Sequence, residues 1–448
     1  MTESTASQIQ SLVDEATVAH NDYRSDSVAP LLEQVINWPY LNHEVRLWAL
    51  SLIAIHSQFD SVSSRMPLEN IHQKYVACLR ADPRFQQIPI WPGRNESMKE
   101  PVRVGYFWDF LGSGVDFCFP FLHDRDLYQV VGVTPVGSHY QLRNLGFDKL
   151  IEYDPKDLSS AVNQIRAAEI DLLVDLNGRG ANPVSDMIIE ARVAGRQTMY
   201  GNFFSSTHST SVDSLIGDRA VLDALNPATT HEALVAIEEP IMAVRKASWN
   251  HSGSMLAVPS RPRRYRIGTT GKSYKLSDTF LDLLARFLVK NPECSFFYHS
   301  CASARYMKDL ETRLISRGVD VEQLELFVVG QIEYVDGVRA MDAAIDAFPC
   351  NGHLSTVEYL SYGTPIWTLR GDRLTQRYGA MILGHIGLDE NVFTDGTCLI
   401  DDLARRLVIK TPSSAAALAA RVETSRIADP LRATRLFEMA IENCLIAC

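Results

Sequence analysis

The chain has 448 residues, too many for one compact core, so two or three domains are expected. Apolar residues make up 46% and charged residues 22%, ordinary globular values that exclude a largely disordered or fibrous protein. The formal net charge of -11 argues against a protein whose main task is gripping nucleic acid and points to protein or small-molecule partners, although a local basic pocket for phosphate stays compatible with it.

The N-terminus, MTESTASQIQ, carries no basic-then-apolar leader, and no apolar run approaches the roughly 18 residues of a membrane helix, so no membrane is expected and the cytoplasm is the default. The 8 cysteines are scattered without a CxxC pair, which fits a reducing compartment and gives neither a disulfide framework nor a structural zinc site. Residues 1–98 read as an all-helical domain. Val28, Leu31, Leu32, Val35 and Ile36 fall at helical spacing, as do Val45, Trp48, Leu52 and Ile55. No repeat of about 34 residues runs through this region, so a tetratricopeptide array is not expected. The turn-rich stretch IPIWPGRNESMKEP, residues 88–101, closes it.

The texture then changes to α/β. Residues 99–245 form the first expected Rossmann-like domain: RVGYFW, YQVVGVT and IDLLVDL read as buried strands, and LSSAVNQIRAA as the helix feeding the last of them. The polar, proline-punctuated stretch 217–263 suits a linker. Residues 260–448 form the second domain, where strands YRIGTT, CSFFYHS, LELFVV, AAIDAF and PIWTL alternate with helical patterns. The fold class is thus α/β, two doubly wound domains facing a cleft behind an all-helical region, with helices of the tail packing back. Ligands are expected at the carboxyl ends of the strands.

Three loops sit at such ends, and a fourth stretch joins the third. FPCNGHLSTVEYLSYGTP, residues 348–365, places the polar turn Cys350-Asn351-Gly352-His353 where a strand gives way to a helix. The unpaired N–H groups there suit a phosphate held by Leu354, Ser355 and Thr356, with Gly352 admitting the anion and His353 adding a donor. The same spacing equally fits a plain helix start with Ser355 as cap and a satisfied loop histidine. GTTGKSYKL, residues 268–276, offers Lys272 and Lys275 as phosphate-binding point charges or as surface lysines of a solvated turn. VDLNGRGANPVSD, with Asn177 and Gly178, and YGNFFSSTHST, with His208, read singly as turns and together as an opposite cleft wall.

From about residue 102 onward these blocks resemble glycosyltransferase family 41, which holds the O-GlcNAc transferases and the bacterial adhesin N-glucosyltransferases. The run DAAIDAFPCNGHLSTVEYLSYGTPIWTLRGDRLTQRYGAMILGHIGL looks like the family's CNGHTT-type turn and the block after it. IGTTGKSYKLSD is similar to its lysine loop, LLVDLNGRGAN to its VDLNG loop, and FFSSTHSTSVDSLIGD to the corresponding stretch of the adhesin enzymes. The resemblance implies a GT-B fold with metal-independent, inverting transfer from a UDP-sugar to a protein side chain, and no cofactor. It further implies that Lys275 neutralises the departing diphosphate and that His353, Leu354 and Ser355 hold its phosphates. Glu358 would bind the ribose, and the stretch 329–334 the base, with Tyr334 stacking on uracil.

One loop departs from the pattern. Gly114 and Cys118 stand where the family carries histidines after the first strand, leaving Asp116, Asp109 or the donor's own α-phosphate as base. The expected function is transfer of glucose or N-acetylglucosamine to Ser/Thr or Asn; the alternative is a non-catalytic partner subunit that binds protein and nucleotide.

Overall fold

The computed structural model describes residues 3–21, 25–59, 67–89, 91, 101–108, 122–137, 146–180, 182–201, 205–228, 230–239, 260, 262–300, 302–328 and 330–446. The N-terminal region is helical, with helices Glu3–Asn21, Ser25–Ile36, His43–Phe59 and Leu68–Arg80 and a short turn of helix, Pro83–Gln86. The positions at helical spacing face inward: Val28, Leu32 and Val35 are fully buried.

Two parallel sheets follow. The first contains β1 Val102–Phe107, β2 Tyr128–Pro135, β3 Lys149–Tyr153, β4 Leu172–Asp175, β5 Arg196–Tyr200, β6 Ser214–Asp218 and β7 Ala233–Ile237. Their order is β3-β2-β1-β4-β5-β6-β7, parallel throughout. The second contains β8 Tyr265–Thr269, β9 Cys294–Ser300, β10 Leu324–Val328, β11 Ala343–Ile345, β12 Ile366–Leu369 and β13 Val392–Phe393, in the order β10-β9-β8-β11-β12-β13. Each sheet reverses its strand order once, between β1 and β4 and between β8 and β11. Such a reversal leaves a crevice at the strands' carboxyl ends, because the loops on its two sides run to opposite faces of the sheet.

The stretch 217–263 is not simply a linker. β6 ends within it, helix Arg219–Leu222 follows, and β7 completes the sheet. IDLLVDL is likewise not the last strand of its series. β5 carries no apolar run because it is polar: Gln197 and Thr198 are buried, the Gln197 amide donating to the carbonyls of Ile189 at 2.9 Å and Ser211 at 2.6 Å. β3 is an edge strand with Lys149 exposed, so its apolar signal is diluted.

One buried apolar cluster joins the N-terminal helices, the first sheet, one face of the second sheet and the last helix, Pro430–Ile446. Another fills the second sheet's other face around Phe280, Phe287, Phe296 and Leu310. The last helix returns to the first sheet, where Phe437 meets Tyr200 edge-on with ring centroids 5.0 Å apart. Glu438 accepts from the Asp124 backbone at 2.9 Å and pairs with His123 at 3.0 Å. Among the described residues no helix is long and apolar enough to cross a membrane.

Two histidines of the helical region are almost fully enclosed, His56 beside His20 and His72 near Arg179 and His208. Burial first, then the neighbouring positive groups, pushes each down to about 3. Their folded pKa lies below the unfolded value of about 6.5, so the unfolded chain takes up protons first. Stability present above pH 6.5 is therefore lost as pH falls from about 6.5 toward 3, at up to roughly 1.4 kcal/mol per histidine for each unit. Urea denaturation at stepped pH should show a falling midpoint; a midpoint constant between pH 7 and 5 refutes the assignment.

Candidate active site

The loops after β8 and β11, on either side of the second sheet's order reversal, close on each other. Lys275 ends a single 3-10 turn, Ser273–Lys275, and its Nζ donates to the Asn351 carbonyl oxygen at 2.8 Å. Ser277 Oγ donates to the Phe348 carbonyl at 2.6 Å and accepts from the Phe280 N–H, so one side chain both starts the next helix and grips the neighbouring loop. The second loop passes through a cis Phe348-Pro349 bond. It is then held by the Asn351 N–H on the Thr375 carbonyl at 2.8 Å and by the Asn351 amide on the carbonyls of Ala347 and Leu369.

Behind the turn lies a buried carboxylate. Asp346 accepts from the Gly352 N–H at 2.6 Å and from Thr368 Oγ1 at 2.8 Å. Burial, opposed by these bonds and by Lys275, pushes it up to about 6. Gly352 has no room for a side chain, because a Cβ there would stand 2.7 Å from both Ser355 Oγ and Thr356 Oγ1. The glycine thus lets two hydroxyls crowd against the backbone of the turn.

Helix Leu354–Ser361 begins at this point. Its cap is His353, whose side chain makes no capping bond, so Ser355 is not the N-cap that a plain helix start would use. Among the described residues Thr356 Oγ1 is buried without a hydrogen-bond partner. The His353 ring lies 4.6 Å from that of Tyr378, and burial together with Lys275 pushes it down to about 4. It is a neutral imidazole at pH 7 and contributes an N–H donor rather than a charge. The turn therefore gathers Lys275, Asn351, Gly352, His353, Leu354 and Ser355 in one place. Lys272 is not part of it: exposed at the start of the 3-10 turn, its ammonium lies 5.9 Å from the Tyr274 ring centre.

Buried phenols that periodicity could not assign set the lysine loop. Tyr359 Oη accepts from the Thr270 N–H at 2.5 Å and shares a second bond with Thr270 Oγ1 at 2.7 Å. Tyr298 donates to the Gly271 carbonyl and Tyr306 to the Ser273 carbonyl, both at 3.0 Å. The available signal was chemical, since a tyrosine inside an apolar strand or helix must find a partner for its hydroxyl. Tyr334 and Glu358 are brought together, but by a direct bond: the Tyr334 hydroxyl donates to Glu358 Oε2 at 2.6 Å and accepts from Thr270 Oγ1 at 3.3 Å. Tyr334 is thus tied at its hydroxyl end to the Glu358 carboxylate, in the middle of helix Leu354–Ser361.

Across the cleft the expected wall is firmly held. Asn177 follows β4, its N–H on Asp175 Oδ1 at 2.9 Å, and Gly178 turns with φ +82°. Beyond them the loop is clamped onto the helical region. Arg179 is buried between Glu190 at 2.7 Å and Asp186 at 3.4 Å, Tyr75 donates to Asp186 at 2.7 Å, and Ser51 Oγ donates to the Gly180 carbonyl at 2.6 Å. His208 is half-buried at φ +52°, its ring 5.3 Å from His231, with Glu69 and His72 of helix Leu68–Arg80 as electrostatic neighbours. It sits at the seam between the helical region and the first sheet. Asp116, with Asp109, Gly114, Cys118 and Val329, lies outside the described residues. Helix His43–Phe59 touches both walls, since it also packs on the Ser273–Lys275 turn and its Ser57 carbonyl accepts from Arg373. The two halves meet again where His385 Nε2 pairs with Asp218 Oδ2 at 2.6 Å.

Two parallel Rossmann-like domains with a crevice between them and a terminal helix crossing back constitute the GT-B fold of glycosyltransferases. A mutant of the O-GlcNAc transferase from Thermobaculum terrenum superposes with TM-score 0.67 at 19% identity, covering 99% of this chain and 98% of that one. A glycosyltransferase from Rickettsia africae gives TM-score 0.50 at 9% identity, with coverage of 78% and 100%. In sequence the chain is similar to the probable UDP-N-acetylglucosamine–peptide N-acetylglucosaminyltransferase SEC of Arabidopsis thaliana, 23% identical over 279 residues. That match spans 60% of this chain and 28% of the plant protein. No protein-family model matches the chain.

Removing the Tyr359 hydroxyl tests the phenol scaffold. Tyr359→Phe leaves the Thr270 N–H without its acceptor and should destabilise the fold by about 1–3 kcal/mol. Urea denaturation reads this directly, and a change under about 0.3 kcal/mol would show that the bond is dispensable.

Proposed function

We propose that the chain is an inverting, metal-independent glycosyltransferase that moves glucose or N-acetylglucosamine from a UDP-sugar to Ser/Thr or Asn side chains of an acceptor protein. The observation that carries this reading is the 2.8 Å contact between Lys275 Nζ and Asn351 O, which joins the cationic loop to the phosphate-type turn. In this reading the diphosphate lies against the first N–H groups of helix Leu354–Ser361 and the Ser355 hydroxyl, with the neutral His353 as a further donor. Lys275 faces the charge that develops as the sugar–phosphate bond breaks, which is the form of stabilisation worth most in a site shielded from water. With a lysine and a helix N-terminus in that role, the chemistry proposed needs no metal.

Glu358, oriented by Tyr334, is proposed to take the ribose hydroxyls, and the Tyr334 region the base. Asn177, Gly178 and His208 belong to the acceptor half, where Asp116 is proposed as base. Among the described residues Cys78, Cys294, Cys350, Cys398 and Cys444 are not in disulfides, which suits a reducing compartment, and the cytoplasm is the proposed place of action.

Incubation with UDP-glucose, UDP-N-acetylglucosamine or GDP-fucose and lysate protein, followed by mass spectrometry, should give incorporation from a UDP-sugar. Lys275→Ala should lower the rate by about 100-fold to 1,000-fold. Incorporation from no donor, with nucleotide still bound, would establish the partner-subunit reading instead. Gly352→Ala pushes a methyl group onto Ser355 and Thr356; UDP affinity measured by calorimetry, on protein that circular dichroism shows to be folded, should fall at least about tenfold. Unchanged affinity would remove the turn from the donor site.

A further inference from the structure

The donor site as proposed does not use its most enclosed charge. Asp346 is 5% exposed and stands directly behind the turn, between β11 and the loop it controls. One oxygen holds the Gly352 N–H, the other the Thr368 hydroxyl. A Cβ at Gly379 would come within 2.4 Å of Asp346 Oδ2, so the amino end of helix Tyr378–Ile386 closes over the carboxylate as a lid of backbone. Among the described residues the carboxylate is held by hydrogen bonds from Gly352, Thr368 and the Ala347 backbone, with Lys275 nearby, rather than by a direct ion pair.

Building on the donor-site reading, we propose that Asp346 is the positioning residue of the Gly352–His353 turn and that it takes up a proton when a nucleoside diphosphate binds there. The electrostatic reason is local. In the unliganded turn Lys275 and Asp346 offset each other, and His353 is neutral. A diphosphate brought onto the turn claims Lys275 and adds negative charge within a few ångströms of a carboxylate that water does not reach. Both changes favour the protonated acid. The carboxylate is already poised for this, because burial has lifted it to about 6 before any ligand arrives. The acid form still satisfies its surroundings: one oxygen accepts from the Gly352 N–H, and the new O–H is donated to Thr368, whose hydroxyl can turn to accept.

The other groups facing this carboxylate are accounted for. From the 3-10 turn it is Lys275, and from its own loop Cys350, whose thiol burial pushes up. From helix Leu354–Ser361 it is Tyr359, pushed up to about 12 by burial first and by Asp346 last. From β12 it is Thr368, and Tyr378 of the covering helix faces Cys350. Burial pushes Cys350, Tyr359 and Tyr378 upward, away from the pH 6 to 8 window. His353 begins lower, at about 4, so its own response to the anion is centred at more acid pH.

The test is calorimetric titration of the full-length chain with UDP at pH 7 in buffers of different ionisation enthalpy, which yields the protons exchanged per UDP bound. Wild type should take up roughly half a proton more than Asp346→Asn, a variant that keeps the acceptor for Gly352. Its UDP affinity should fall up to about tenfold between pH 6 and 8.5, while that of Asp346→Asn falls less. Equal proton numbers in the two proteins, with UDP bound by both, would overturn the inference and leave the donor site standing. Failure of wild type to bind UDP anywhere from pH 6 to 8 would overturn both. Should Asp346→Asn not fold, Thr368→Val removes a bond that favours the ionised form, and the pH of maximal uptake must move upward; an unmoved maximum counts against the proposal.

Discussion

The contact between Lys275 and the Asn351 carbonyl is where this molecule's organisation converges. A lysine at the end of one strand and a glycine turn at the end of another are each unremarkable in a parallel sheet. They meet because β8 and β11 are neighbours, with Ala343 beside Ile267 and Ala344 beside Gly268. The crevice opens at that pair because the strand order reverses there. Two conditions must then hold for the ammonium to reach the carbonyl. The lysine loop must stay short and tightly bonded, which Tyr298, Tyr306 and Tyr359 ensure from three separate elements. The turn must also present its carbonyl toward the lysine while its N–H groups point elsewhere, which Asp346 ensures by holding the Gly352 N–H from behind.

The rest of the chain fixes how the second half faces the first. Helix His43–Phe59 lies against the Ser273–Lys275 turn and also binds Gly180, so the helical region serves as a brace rather than an appendage. The buried Arg179 network is costly to desolvate and is tolerated because Asp186 and Glu190 both reach the guanidinium and Tyr75 supports Asp186. Such a clamp fixes the Asn177–Gly178 turn, which stands at the first sheet's own reversal. Helix Pro430–Ile446 and the His385–Asp218 pair close the other side.

How far the sequence could be read depended on where each signal resides. The alternating apolar runs gave both Rossmann-like domains, since buried parallel strands are continuous in hydropathy. β5 and β3 were illegible for opposite reasons, one buried but polar, the other at an edge and half-wet. The phosphate-type turn was visible as CNGH followed by hydroxyls, yet spacing left it open against a capped helix. The structure removes Ser355 as the cap, because His353 caps the helix without a side-chain bond, and it shows the crowding at Gly352, both three-dimensional facts. Lys272 and Lys275 were equivalent on paper. Lys272 stands exposed at the start of the 3-10 turn, whereas Lys275, three residues on at its end, reaches the Asn351 carbonyl. Tyr334 was read as a ring for stacking, and its hydroxyl, bonded to Glu358, was the part that sequence could not aim.

These features together explain why the turn carries a buried acid at all. A glycine turn holding hydroxyls and N–H groups would attract anions without it, so Asp346 weakens the bare electrostatic pull of the site. What it supplies is shape. Its two bonds oppose the tendency of a glycine-containing turn to sample other conformations, a tendency that would otherwise be lost as entropy on binding. A neutral group could hold the N–H almost as well, but would leave Lys275 half-buried beside no counter-charge. The carboxylate solves both problems in the empty protein, and in the occupied one a single proton removes the conflict its charge creates.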